Sequence, residues 1–162
     1  MNDLESLYRK YAPAVLRFAW GLSGDRTRAE DIVSETFVRL LTRAPRIETQ
    51  TALAYLLAIA RNIYLTGWHR RRREVPLPDE VLAPERDPAR ALTSQAELRG
   101  VVRALAGLSE GERAALLLRA DSGLSYEDIA ATLGISVGAA KVRVHRARVR
   151  LQRARENNGG NP

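Results

Sequence analysis

The sequence predicts an all-α fold of two small helical domains joined by a flexible linker, and three observations predict it. Apolar residues recur at helical spacing along most of the 162-residue chain, and no segment alternates as a strand would. Residues 74–92 hold Pro76, Pro78, Pro84 and Pro88, a density that opposes continuous helix and favours extended chain. Residues 125–155 read as two helices around a tight turn. The expected organisation is a first domain over 1–73, an acidic Pro-rich linker over 74–92, a second domain over 93–156 and a tail over 157–162 without fixed structure.

In the first domain, Leu4, Leu7, Tyr8, Tyr11, Leu16, Phe18, Ala19 and Leu22 predict an opening helix, with Gly21 and Gly24 marking its end. Thr27 and Glu30 read as a capping box for the next helix, whose apolar face is Ile32, Val33, Phe37, Leu40 and Leu41. Pro45 should stop it. After a polar loop, 46–51, a long helix turns Leu53, Leu56, Ile59, Ala60 and Ile63 inward and runs on into His69 to Arg73.

In the second domain, Leu98, Val101, Val102, Leu105 and Leu108 make an amphipathic helix over 96–108. Ser109 and Glu112 cap the following helix, centred on Ala115 to Leu118 and broken at Gly123. Ser125 with Asp128 forms a capping box, Gly134 supplies a left-handed turn residue, and Ser136 caps the last helix. At about 100° per residue, Ala140, Val144, Ala147 and Leu151 share one narrow stripe, the expected buried face.

The opposite face of that helix carries Gly138, Ala139, Val142, His145 and Arg146, flanked by Lys141, Arg143, Arg148 and Arg150. Between Lys141 and Arg155 stand seven Lys or Arg and no acid, whereas solvated surface helices usually mix signs. Small residues at the helix start let the backbone approach base edges, Val142 can meet a thymine methyl, and the cations can reach phosphates or guanines. The segment therefore reads as a helix-turn-helix that binds duplex DNA; the plainer alternative is an arginine-rich surface helix.

Charge distribution sharpens this reading. The net charge is +7, with +6 on residues 1–73, −4 on 74–88 and +5 on 89–162, so both domains favour a polyanion and the linker does not. There are no cysteines, which excludes disulfides, thiolate zinc sites and thiol redox sensing by this chain. Its two histidines, His69 and His145, lie in arginine-rich helices away from other ligand types, so no metal, cofactor or catalytic constellation is expected. The longest apolar run, Ala52 to Ala60, is far shorter than the roughly 20 residues of a membrane span. With Asp3 and Glu5 where a signal peptide would be cationic, the expectation is a cytoplasmic protein without a small-molecule substrate.

A second basic site lies at the end of the third helix, where Arg70, Arg71, Arg72 and Arg73 follow Arg61, Asn62, Tyr64, Trp68 and His69. Cations that hold a backbone beside rings that stack on unpaired bases make a single-strand platform. The alternative is a core Trp68 and a solvated, dipole-favoured helix end. Two modest DNA readers on one tether gain affinity through effective concentration.

Three stretches in order, AEDIVSETFVRL (29–40), AYLLAIARNIYLTGWHRRRR (54–73) and LSYEDIAATLGISVGAAKVRVHRARVRL (124–151), make the chain resemble a bacterial RNA polymerase sigma factor of the extracytoplasmic-function (ECF) subfamily, which retains sigma regions 2 and 4. The resemblance implies a promoter-specificity subunit, with no enzymatic activity of its own, that binds the clamp coiled coil and flap of core polymerase. It implies minus-ten and minus-thirty-five recognition, promoter opening, and restraint by an anti-sigma factor. Asp31, Ser34 and Glu35, with Arg39 and Leu41 at the edge, resemble the polymerase contact, expected to be an acidic, exposed helix face.

By the same resemblance, Asn62 and the loop 43–51 would capture a flipped minus-ten base, with Arg61, Trp68, His69 and Arg70 to Arg73 nearby; an amide can donate to and accept from a Watson-Crick edge. The alternative for Asn62 is an amide bonded to a neighbouring carbonyl. Ser136, Gly138, Ala139, Lys141, Val142, Arg143, His145 and Arg146 would face the minus-thirty-five duplex, and the acidic linker would enter the RNA exit channel or serve as a plain spacer. Thr66, Gly67 and Trp68, Tyr55, the pair Ala139 and Ala140, and Val142 depart from the usual family residues at or near DNA-facing positions, so no particular promoter sequence carries over. The rival reading is a stand-alone dimeric helix-turn-helix regulator, which would bind a palindrome without polymerase.

Overall fold

The computed structural model describes residues 3–43, 46–67 and 88–159, which form seven α-helices and no strands. These are α1 (Asp3–Ser23), α2 (Arg26–Thr42), α3 (Ala52–Thr66), α4 (Pro88–Leu105), α5 (Glu110–Ala120), α6 (Tyr126–Leu133) and α7 (Val137–Gly159). Helices α1 to α3 pack on one another, and α5 to α7 do the same with α4 alongside.

Local chemistry sets most boundaries where the sequence puts them, and the exceptions have physical causes. Gly24, at φ 70°, ends α1, but Gly21 lies buried inside that helix. The cap of α2 is Asp25, whose Oδ1 accepts from the backbone N–H groups of Thr27 (2.9 Å) and Arg28 (3.3 Å); Glu30 instead pairs with Arg26 at 3.3 Å, so the Thr27/Glu30 box does not form. Thr51 caps α3 by accepting from the Ala54 N–H at 3.1 Å.

Helix α3 does not run on to His69, because Gly67 takes the left-handed conformation at φ 68° and closes it. Helix α4 begins at Pro88, earlier than expected and inside the segment assigned to the linker, since proline in a first turn sacrifices no helical hydrogen bond. Helix α7 continues to Gly159, taking in residues 157–159 of the expected tail. Pro45, Trp68 and the rest of 68–87 lie outside the described residues.

One core runs through both groups of helices. Phe18, Ile32, Val33, Leu56, Leu57, Ile59 and Ile63 join Ala114, Ala115, Leu118, Ile129, Ala140 and Val144 in a continuous cluster, and a smaller one gathers Leu105, Leu108, Leu116 and Ala147. Two residues expected inside are outside: Leu41 is 62% exposed and Val101 53%. The regions meet where α1 packs on α5 and α3 on α6. At Gly21 an added Cβ would sit 2.7 Å from Leu117 Cδ1, so the missing side chain is what lets α5 approach α1.

Candidate nucleic-acid interface

The turn between α6 and α7 is built from short polar links. Ser125 Oγ accepts from the Asp128 N–H at 3.1 Å, Gly134 turns at φ 67°, the Ile135 N–H donates to the Ala130 carbonyl at 3.0 Å, and Ser136 Oγ accepts from the Ala139 N–H at 3.0 Å. Ala140, Val144 and Ala147 are at most 1% exposed, as the stripe requires, and Leu151 is half-buried. Ser136, Gly138, Lys141, Val142, His145, Arg146, Arg148 and Arg150 are exposed, with Ala139 and Arg143 half-buried. A helix anchored by small residues on one side therefore presents cations on the other, the arrangement needed to enter a groove.

Some of these cations have local partners. Lys141 Nζ lies 5.7 Å and the Arg119 guanidinium 4.3 Å from the centre of the Tyr126 ring, and Arg119 Nη1 donates to the Leu124 carbonyl at 2.9 Å. Arg143 lies over Gly111, where a Cβ would come within 2.7 Å of its Nη1. Arg150 pairs with Glu112 at 3.5 Å. Tyr126 and Arg119 thus lie beside Lys141, a neighbourhood the sequence expectations leave out; the signal was an aromatic one position after a cap and a cation at the end of α5.

On α3, Asn62 is exposed. Arg61, its neighbour, is engaged: Nε and Nη2 each donate at 2.8 Å to the two carboxylate oxygens of Glu110 on α5. The loop before α3 is engaged too, with Asp128 Oδ1 accepting from the Gln50 N–H at 2.7 Å and Oδ2 from the Thr51 hydroxyl at 3.2 Å. So the side-chain half of the Ser125/Asp128 capping box is absent; the Asp128 carboxylate reaches across to the other region instead. Of the expected minus-ten residues, Trp68, His69 and Arg70 to Arg73 lie outside the described residues.

The α2 face differs from expectation. Asp31 and Glu35 are each only 7% exposed, and Glu35 pairs with Arg39 at 3.1 Å, because α2 sits between α1 and α3 and turns this side inward. Ser34 and Arg39 are half-buried. Near its end α2 exposes Val38 at 40% and Leu41 at 62%, beside Thr42 and the capping Arg43, so large apolar side chains stand exposed there where an acidic face was expected. Among the described residues no His, Cys, Asp or Glu group of three or more could hold a metal ion, and no helix is long and apolar enough to cross a membrane.

Known proteins resemble this chain in sequence and in fold. The family model of sigma-70 region 2 matches residues 7–74 and that of sigma-70 region 4 matches 98–151. An ECF RNA polymerase sigma factor, EcfG of Rhodopseudomonas palustris, is 39% identical over 140 residues, covering 86% of this chain and 77% of its own. SigE of Mycolicibacterium smegmatis, another ECF sigma factor, is 34% identical over 157 residues, 94% of this chain and 61% of that one. Among solved structures, the sigma factor RpoE in complex with the anti-sigma factor NepR from Bartonella quintana superposes with a TM-score of 0.72 at 30% identity, covering 94% of this chain and 96% of that one. CnrH, solved with the cytosolic domain of CnrY, shares the fold at a TM-score of 0.70 and 24% identity.

Proposed function

This chain belongs to the ECF sigma factors, and from that premise we propose how its residues divide the work of a promoter-specificity subunit. The chain binds core RNA polymerase, recognises the minus-thirty-five and minus-ten elements and promotes opening of the promoter. Its first region, residues 1–73, holds polymerase through α2 and the opened minus-ten strand through Asn62, Arg61, Trp68, His69 and Arg70 to Arg73; its second, from α4 onward, reads the upstream duplex with α7; the residues between Arg73 and Pro88 connect them. The exposed pair Val38 and Leu41 joins Ser34 and Arg39 in the polymerase contact, while Asp31 and Glu35 lie beneath it, Glu35 holding the Arg39 guanidinium.

The observation that carries this reading is α7, buried along Ala140, Val144 and Ala147 and cationic elsewhere, in a chain whose first region also matches a sigma family model. The work is binding and strain; polymerase supplies the bond chemistry, in the cytoplasm. An anti-sigma protein restrains the chain, a reading supported by the complex of its relative RpoE with the anti-sigma factor NepR. A stand-alone dimeric regulator is not favoured, since it leaves the region 2 match without a role.

Reconstituted transcription with bacterial core polymerase on a genomic library tests the proposal. Holoenzyme should initiate at sites where core alone does not; identical start sites would overturn it. Asn62→Ala should lose opening of the minus-ten region, read by chemical reactivity of unpaired bases, while upstream duplex binding persists. Arg146→Ala should weaken upstream binding by about 1–3 kcal/mol if it meets a base edge.

A further inference from the structure

The half-buried arginines Arg26, Arg39, Arg61, Arg113 and Arg119 each donate to an oxygen, in turn that of Glu30, Glu35, Glu110, the Leu108 carbonyl and the Leu124 carbonyl. Arg143 is half-buried as well, yet no hydrogen bond or ion pair of its guanidinium falls among the described residues. A guanidinium carries only donors, and partial burial without an acceptor removes water from them with nothing in return.

Shape holds this side chain where no acceptor does. At Gly111, in the first turn of α5, an added Cβ would lie 2.7 Å from Arg143 Nη1, 3.2 Å from Cζ and 3.7 Å from Nε, so the whole guanidinium rests against bare backbone. Alanine would favour the helix more than glycine does, so the bare position carries a cost in stability. Arg146 stands about one turn further along α7, on the same side, and lines the same cleft as Arg143 and Gly111. Arg61 borders that cleft too, but the Glu110 carboxylate already fills its fork. Two neighbouring guanidinium groups with donors unspent match the oxygens of a phosphate. Gly111, Arg143 and Arg146 all belong to the second region, so their arrangement is independent of how the first region packs.

We propose that Gly111 is a positioning residue for promoter binding: its missing side chain seats the Arg143 guanidinium beside Arg146, ready to take a backbone phosphate of the upstream duplex. The cation is ordered before DNA arrives, which lowers the entropy lost on binding. Such a contact adds affinity without selecting bases, because phosphates carry no sequence information. The inference rests on the promoter-binding reading above and assigns a residue of α5 to it.

The test uses reconstituted holoenzyme on a promoter recovered from the genomic library. Gly111→Ala should weaken promoter binding about tenfold at low salt, the loss expected for one charge-assisted contact, and reduce the slope of log affinity against log salt by about 1. Arg143→Ala should match it in both measures, and the double variant should be no worse than either. The atom displaced by the new methyl group is the end of a flexible side chain, so the denaturation midpoint of Gly111→Ala should equal or exceed that of the parent. A merely structural glycine would lower the midpoint instead. The relative use of different promoters should stay the same.

Unchanged affinity and slope in Gly111→Ala overturn the seat, as does a double variant whose losses add. A changed promoter ranking overturns the phosphate assignment in favour of a base contact. In the free full chain, the NMR signal of the Arg143 Nε–H, assigned by its absence from Arg143→Ala, should shift in Gly111→Ala; an unmoved signal also overturns the seat. Holoenzyme that initiates nowhere strikes the promoter reading, while this last measurement still decides whether Gly111 positions the guanidinium.

Discussion

In the first region, Phe18, Ile32, Leu56, Leu57, Ile59 and Ile63 are all fully buried between three helices, whereas the stripe that anchors α7 in the second offers only Ala140, Val144 and Ala147. The difference follows from exposure. A helix that leaves most of its circumference exposed has a narrow face left to bury, and small residues let it sit close to its supports. Bulk then comes from Leu118 and Ile129 on α5 and α6, which belong to the same cluster as Phe18. Solid packing in one region and borrowed packing in the other make the junction between them part of the stability of both.

The largest break in that contrast should come from removing bulk in the first region. Phe18→Ala is expected to cost about 3–5 kcal/mol, seen as a lower midpoint in chemical denaturation. In the second region the sensitive direction is reversed: Ala147→Leu has no space to fill and should cost about 1–3 kcal/mol by overpacking, with loss of duplex binding as α7 shifts. A subtler separation comes from the cap. Ser136→Ala should cost about 1 kcal/mol, read by hydrogen exchange at the start of α7, with the first region unaffected.

The smallest effect concerns pH. Burial raises the Tyr8 hydroxyl above its ordinary value of 10.0, and its ring packs edge-on against Phe37 with centres 4.7 Å apart. The folded state holds this proton more tightly than the unfolded chain. Its stability is therefore intact below the ordinary tyrosine range and falls as pH climbs through the raised value. Tyr8→Phe should remove that alkaline loss from the first region while leaving the remaining pH dependence in place, measured by denaturation on both sides of pH 10.

Features written in short segments were readable without coordinates. The Ser125, Gly134 and Ser136 signals and the Ala140/Val144/Ala147 period place the helix-turn-helix correctly, because each depends on neighbours within a turn or two. Contacts across the chain were not readable. Asp128 looks in sequence like half of a capping box and Glu110 like an ordinary first-turn acid, yet the side chains of both reach residues about 50 to 80 positions away. The α2 expectation failed for a related reason. Periodicity finds an apolar stripe, but it does not show that a second helix covers Asp31 and Glu35 or that Leu41 lies past the edge of its support. Only a local competition decided whether Asp25 or Thr27 capped α2, and the aspartate carboxylate won.

Gly21 gives the junction a kind of specificity that ions cannot erase. Added electrolyte shortens the reach of charge from about 8 Å at physiological strength to about 3 Å at 1 M, weakening attraction between the half-exposed Arg17 and Asp121 first. The notch that receives Leu117 is a matter of shape alone, indifferent to ionic strength. After dilution the halves should re-engage in the same register, because Gly21, the one glycine of α1, is where that leucine seats against bare backbone.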